Sequence, residues 1–158
     1  MSKPTLYIMC GLSGSGKSTI ATQIANENPN TIIVSSDAIR EELTGNYEDQ
    51  EHNEEVFKIF HNRIRKNLEN KKNVIADATN ITMKSRRVIM MKVNGLNIRK
   101  VCVIVPKPFE QCKKDNLHRE HPVPDFVLDK QIRKFQIPFY EENFDAIKIY
   151  DLHKKHKL

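Results

Sequence analysis

Several absences narrow the possibilities before any motif is read. No apolar stretch approaches the roughly 20 residues that carry a helix across a bilayer, so a helical membrane span is not expected. Cysteine is sparse: Cys10, Cys102 and Cys112 are odd in number, lie in or beside apolar runs, and show no CxxC spacing. A disulfide framework and a cysteine-ligated metal centre are thereby disfavoured, and buried free thiols in a reducing, cytoplasmic compartment are expected. His118 and His121 have no Cys or carboxylate at ligand spacing, so they do not read as a metal pair. Internal repeats, low-complexity tracts and linkers are missing too. Met1–Pro4 run directly into a predicted strand, which leaves no secretory leader to expect.

What is present fits one globular domain over residues 1–158, with 39% apolar and 29% charged residues. The net charge of +6 suits an anionic partner but does not identify one. Its distribution says more. Seven acidic residues and no Lys or Arg lie between Glu41 and Glu55, whereas Arg63–Lys72, Lys84–Arg87, Lys107–Arg119 and His153–Leu158 are rich in basic residues. Those stretches read either as solvated helix faces or as a nucleic-acid track.

Short β-branched, apolar runs predict strands at Thr5–Cys10, Thr31–Val34, Asn73–Ala76, Val101–Val105 and Ala146–Tyr150. Helical spacing predicts helices at Lys17–Asn26, Asp37–Leu43, His52–Asn70, Thr82–Val93, Phe109–Arg119 and Asp125–Phe135. This alternation implies an α/β protein with a five-stranded parallel sheet covered on both faces. Thr44–Gln50, with Gly45 and Asn46, reads as a mobile loop.

Glycine numbers only five, yet three fall within Gly11, Gly14 and Gly16. Gly11-Leu12-Ser13-Gly14-Ser15-Gly16-Lys17-Ser18-Thr19 meets the pattern GxxxxGK[ST] between a predicted strand and a predicted helix. Such a loop turns consecutive N–H groups onto phosphate oxygens, and the following helix adds the positive end of its dipole. Gly11, Ser13, Gly14, Ser15, Gly16, Lys17, Ser18 and Thr19 are therefore expected to bind a nucleoside triphosphate, ATP or GTP. Lys17 would reach the β- and γ-phosphates, and the Ser18 hydroxyl would ligate Mg²⁺.

A triphosphate site serves ATPases, GTPases and kinases alike, and the strand ends must choose among them. Asp37 follows the second strand, on the edge where an open parallel sheet binds ligands. It suits a general base that takes a proton from an attacking hydroxyl, or else the N-cap of the next helix. Arg40, one turn on, is placed to hold an anionic group of the acceptor. Asp77 closes the third strand and reads as a carboxylate acting on Mg²⁺ through water or orienting Ser18, or as a helix cap.

Ser35-Ser36-Asp37-x-x-Arg40, then Asp77-Ala78-Thr79-Asn80 with Arg86-Arg87, resembles the kinase module of the polynucleotide 5′-hydroxyl kinase family. The Cys112–Arg119 segment, Val123-Pro124-x-x-Val127 and Phe135-x-x-Pro138 extend the likeness over residues 5 to 150. Seryl-tRNA kinases and zeta-toxin-like sugar-nucleotide kinases share parts of the set. The resemblance implies a P-loop NTPase fold with strand order 2-3-1-4-5 and a helical lid over about residues 108–122. It implies that Asp37 activates the 5′-hydroxyl of RNA or DNA and that Arg40 binds the phosphate on the acceptor's 3′ side. Asp77 and Asn80 would then sit beside the phosphates, with Arg86 or Arg87 on the helix behind.

In similar kinases the lid carries two arginines four residues apart; here the second is Arg119 and the first position is Asp115. A carboxylate repels a triphosphate, so either Lys113 or Lys114 replaces the lost charge or Asp115 pairs with Arg119 from i, i+4. Arg119 is expected to be the single lid arginine, with Lys114 second. The acceptor side raises a further question, because Glu48 and Asp49 stand near the presumed substrate path without a helix-dipole explanation. Either their loop turns away, or the acceptor is a smaller one: a nucleoside, a sugar nucleotide or an aminoacyl-tRNA side chain. An NTP-hydrolysing binding module is the alternative from another class.

Overall fold

The computed structural model describes residues 3–46, 48–120 and 122–150. His121 and the basic segment His153–Leu158 lie outside the described residues. The chain alternates β1 (Thr5–Cys10), α1 (Lys17–Glu27), β2 (Thr31–Ser35), α2 (Ser36–Thr44), α3 (Asn53–Glu69), β3 (Asn73–Asp77), α4 (Met83–Lys92), β4 (Arg99–Ile104), α5 (Phe109–Asn116), α6 (Asp125–Lys134) and β5 (Ala146–Ile149). A 3-10 turn at Tyr140–Glu142, which the spacing did not predict, precedes β5.

The strands form one parallel sheet in the order β2-β3-β1-β4-β5. That is the predicted order. The pleat divides the core. Leu6, Ile8 and Cys10 of β1 face α3 and α4, meeting Val56, Phe60, Ile64 and Leu68 of α3 and Ile89 of α4. Met9 turns to the other face, under Ile20, Ala21 and Ile24 of α1. The α3 residues recur every four positions and are almost wholly buried, so the stripe read from sequence is the seam that docks this helix. Truncating Phe60 to Ala would cost about 3–5 kcal/mol.

Parallel pairing in this order brings the carboxyl ends of β2, β3 and β1 side by side, with Ser35 in register with Asp77. The phosphate loop, α2 and the turn after β3 all spring from this edge. Among the described residues no helix is long and apolar enough to cross a membrane.

One expectation changes here. The helix predicted to Arg119 ends at Asn116, because Leu117–Glu120 continue as tight turns in which the His118 N–H donates to Asp115 and the Arg119 N–H to Asn116. Described residues of the Thr44–Gln50 loop are tied locally. Gly45 closes α2 at φ 72°, and Asn46 and Asp49 accept the N–H groups of Glu48 and Glu51.

Candidate active site

The loop between β1 and α1 is shaped by its glycines. Gly14 and Gly16 take φ of 81° and 97°, the left-handed region that residues with a Cβ rarely adopt. At Gly11 a Cβ would lie 2.7 Å from the Ser15 hydroxyl and 3.0 Å from the Val105 carbonyl. The loop is stitched down from behind: Gly11 N–H donates to Thr79 O at 3.0 Å and Ser15 N–H to Leu12 O at 3.0 Å. Helix geometry leaves the N–H groups of Lys17, Ser18 and Thr19 unspent in the first turn of α1. Together with the dipole of that helix, they make an anion site.

Lys17 Nζ donates to Leu12 O at 3.0 Å. Loss of solvent lowers its pKa, with Asp77 opposing that shift and Arg119 adding to it. Ser18 Oγ donates to Asp77 Oδ2 at 3.2 Å. Burial pushes the Asp77 carboxyl up, against the pull of Lys17. Asp77 belongs to β3 and does not cap α4; Thr82 does, accepting the Ser85 N–H at 3.1 Å.

Asp37 does not cap α2 either. Ser35 accepts the Ala38 N–H at 3.2 Å, which places Asp37 in the first helical turn with its side chain half exposed. Arg40 Nη1 donates to Asp37 Oδ1 at 2.9 Å, and Nη2 donates to Asn53 Oδ1 at 2.9 Å. Arg40 is buried, and its Nε has no partner among the described residues. Across the cleft, Arg119 Nη2 lies 3.9 Å from Asp37 Oδ2. Two guanidinium groups thus bracket one carboxylate.

One cleft joins Lys17, Ser18, Asp77, Asp37, Arg40 and Arg119. Phe57, Val123 and Val127 give it an apolar wall. Among the described residues of the acidic stretch, only the amides Gln50 and Asn53 line it. Asp49 finds its explanation elsewhere, as the acceptor for Glu51 N–H at 2.7 Å and the partner of His52 Nδ1 at 2.9 Å.

The segment expected to form a lid departs from what the resemblance implied. With Arg119 beyond the helix, i, i+4 spacing no longer places it on the face of Asp115. The Asp115 carboxylate instead meets Lys107 and accepts from Gln111 Nε2 at 2.9 Å. Lys113 lies over the Phe109 ring and 3.9 Å from Asp129, and Lys114 is exposed.

Asn80 of the strand-end block and Arg86 of the helix behind it meet each other. Asn80, at φ 47°, donates its amide to Met9 O at 2.7 Å, so it ties β1 to the turn after β3. Arg86 is fully buried, pairs with Glu142 through Nε at 2.8 Å and Nη2 at 3.0 Å, and donates from Nη1 to Asn80 O at 2.9 Å. Both residues brace the floor of the loop. Removing one partner of such a buried pair costs about 3–5 kcal/mol.

Sequence reasoning missed Gln131. Its Oε1 accepts the Ser13 N–H and its Nε2 donates to Ser13 Oγ, each at 2.9 Å. Gln131 follows Val127 by one turn of α6, and that spacing was the only signal available.

A family model described as AAA domain matches residues 6–138. The chain is 31% identical over 138 residues to the L-seryl-tRNA(Sec) kinase of Methanococcus maripaludis, covering 84% of this chain and 53% of that protein. It resembles a chain of the Pnkp1/Rnl/Hen1 RNA repair complex, with a TM-score of 0.75, 25% identity, and coverage of 92% of this chain and 47% of the other. The Chaetomium thermophilum Kti12 structure with ADP-AlF3 shares the fold at a TM-score of 0.76 and 14% identity, covering 93% of this chain and 89% of its own. The chain spans about half the length of the curated relative it matches. A match over most of its length, on a sheet ordered β2-β3-β1-β4-β5 with the phosphate loop at its edge, means that the chain belongs to this AAA-domain family and carries its P-loop kinase fold.

Proposed function

We propose that this chain is an NTP-dependent kinase that transfers a γ-phosphoryl group to the 5′-hydroxyl of RNA or DNA, a step suited to healing ends before ligation. The observation that carries the reading is the Asp37 carboxylate. Arg40 holds it at 2.9 Å in the cleft that also contains Lys17 and Ser18. A switch that only hydrolyses NTP has no need of a base beside an acceptor wall.

In this reading Asp37 takes the proton of the attacking hydroxyl. Lys17 and the loop N–H groups hold the donor phosphates, and Arg119 stabilises charge that develops on the transferring group. Arg40 holds the phosphate on the 3′ side of the acceptor, while Phe57, Val123 and Val127 offer a surface for its terminal base. The cleft-facing part of the acidic stretch is neutral amide, which leaves a polyanion room to approach.

The residues fit Mg²⁺. Ser18 Oγ and the Asp77 carboxylate converge at 3.2 Å, and Asp77 is a buried anion in need of positive charge. Ser18 would be the direct ligand and Asp77 would act through water. Bound there, the ion would neutralise phosphate oxygens.

The likeness to a seryl-tRNA kinase favours a second acceptor, an aminoacyl-tRNA side chain. Transfer of label from γ-labelled ATP and GTP to 5′-hydroxyl RNA, 5′-hydroxyl DNA, seryl-tRNA and a nucleoside panel tests the choice. Labelled RNA or DNA ends are expected. Label confined to seryl-tRNA or to small metabolites would overturn the polynucleotide reading.

A further inference from the structure

Behind the phosphate loop lies a polar cluster that the proposed reaction has not used. Lys107, between β4 and α5, keeps only 8% of its side chain exposed. Its Nζ donates to the Gly14 carbonyl at 2.9 Å and pairs with the Asp115 carboxylate. Gln111, one turn before Asp115, donates to that carboxylate at 2.9 Å and orients it. The backbone of α5 presses on the same glycine, since a Cβ at Gly14 would stand 2.8 Å from the Cys112 carbonyl.

A lysine ordinarily leaves its ammonium in water, and confining one is costly unless the charge is paired. An acid this close to a triphosphate site works against the ligand it adjoins. Both facts have one explanation if the acid serves to hold the lysine. The Gly14 carbonyl and the Ser15 N–H belong to the same peptide unit. Lys107 fixes the first, and the Leu12 carbonyl fixes the second at 3.0 Å. That peptide is therefore pinned at both ends, and its plane sets the direction of the loop donors that follow.

We propose that Lys107, held in place by Asp115, is a positioning residue for the donor phosphates, acting through the Gly14–Ser15 peptide. The inference rests on the triphosphate-site reading and is independent of which acceptor the kinase uses.

ADP affinity in the presence of Mg²⁺, measured by titration calorimetry without acceptor, tests it. Removing the charge of Asp115 would by Coulomb's law alone tighten ADP binding. The proposal expects the opposite sign: Asp115→Asn weakens it by about three- to tenfold, and Lys107→Met by about tenfold. The double variant is expected to bind no more weakly than Lys107→Met, because Asp115 acts through Lys107. In turnover, the KM for the triphosphate rises while the KM for the acceptor stays near its original value. Tighter or unchanged ADP binding by Asp115→Asn, or additive losses in the double variant, would overturn this role. Should Lys107→Met not fold, the sign of the Asp115→Asn effect decides alone. Failure of the original protein to bind ADP would instead overturn the triphosphate site itself.

Discussion

The phosphate loop and the α5–α6 side, expected from resemblance to include a lid, both border one cleft, yet they are held by different means. In the loop, Ser15 bonds to Leu12 and Lys17 to Leu12, and glycine conformation at Gly14 and Gly16 sets the path. The α5–α6 side reaches the same loop through Lys107, just before α5, and Gln131 of α6, whose partners stand 93 and 118 positions away in the chain. The shape of the loop side is set by main-chain groups, so few residue types satisfy it. On the α5–α6 side the contacts are made by side chains, whose places other residues can take. An acid at position 115 is tolerable on the second side and would not be on the first.

The sharpest way to break this comparison is at the acceptor end of the cleft, where neither loop nor lid alone suffices. Asp37→Asn keeps the size of the side chain and its place beside Arg40 but cannot take a proton. Phosphoryl transfer is expected to fall by about 10²- to 10⁴-fold, with triphosphate binding largely intact. Near-normal turnover would remove the base from Asp37. A parallel loss of ADP binding would show instead that the substitution disturbed the cleft.

Next in size is the lid charge. Arg119 lies 3.9 Å from Asp37, whereas Lys114 is exposed and Lys113 is engaged with Phe109 and Asp129. Arg119→Ala is expected to lower kcat by about 10²-fold, as for the loss of one donor to a developing charge. Lys114→Ala should change it by less than about twofold, as surface substitutions usually do. Equal losses would mean that charge on the lid is delivered collectively rather than by one guanidinium.

The two sides were also unequally legible. The phosphate loop and the stripe of α3 could be read because period and motif are local properties, whereas the strand order came from the resemblance to a kinase family. Asp37 and Asp77 could be placed at the sheet edge, but their capping alternatives could be discarded only once Ser35 and Thr82 were found in those roles. Arg119 was placed one helical turn from Asp115 because periodicity gives no warning of where a charged helix stops, and this one stops at Asn116. Asn80 was expected beside the phosphates, and Arg86 or Arg87 on the helix behind, from the resemblance alone. The bonds of Arg86 to Glu142 and of Asn80 to Met9 come from elements that local spacing does not pair with them.

Gln131 tests the long-range side more gently. Gln131→Ala removes two hydrogen bonds to Ser13 while leaving the loop glycines in place. Net losses for such bonds are modest, so triphosphate affinity should fall by about fivefold. Unchanged affinity would mean that the loop holds its shape without α6, and the contrast drawn above would rest on Lys107 alone.

The smallest effect concerns a cost that the donor side carries in its own fold. Burial raises the Asp77 carboxyl above the ordinary carboxylate range, and Lys17 offsets only part of that shift. The folded state therefore takes up a proton at Asp77 more readily than the unfolded chain does. Below the unfolded pKa both states are protonated and the residue is neutral toward stability. As pH rises from that value through the raised one, the unfolded chain ionises first and the fold loses stability, and the full cost is present above the raised value. Asp77→Asn keeps an acceptor for Ser18 and removes the buried charge. The ligand-free variant is expected to melt at a higher temperature than the original protein at neutral pH, with the gap closing as pH falls below the carboxylate range, while Mg²⁺ strengthens triphosphate binding less than it does in the original protein. A variant that melts lower at neutral pH would show that the attraction between Asp77 and Lys17 outweighs the desolvation of the carboxylate, and that the donor side stabilises the fold it was taken to burden.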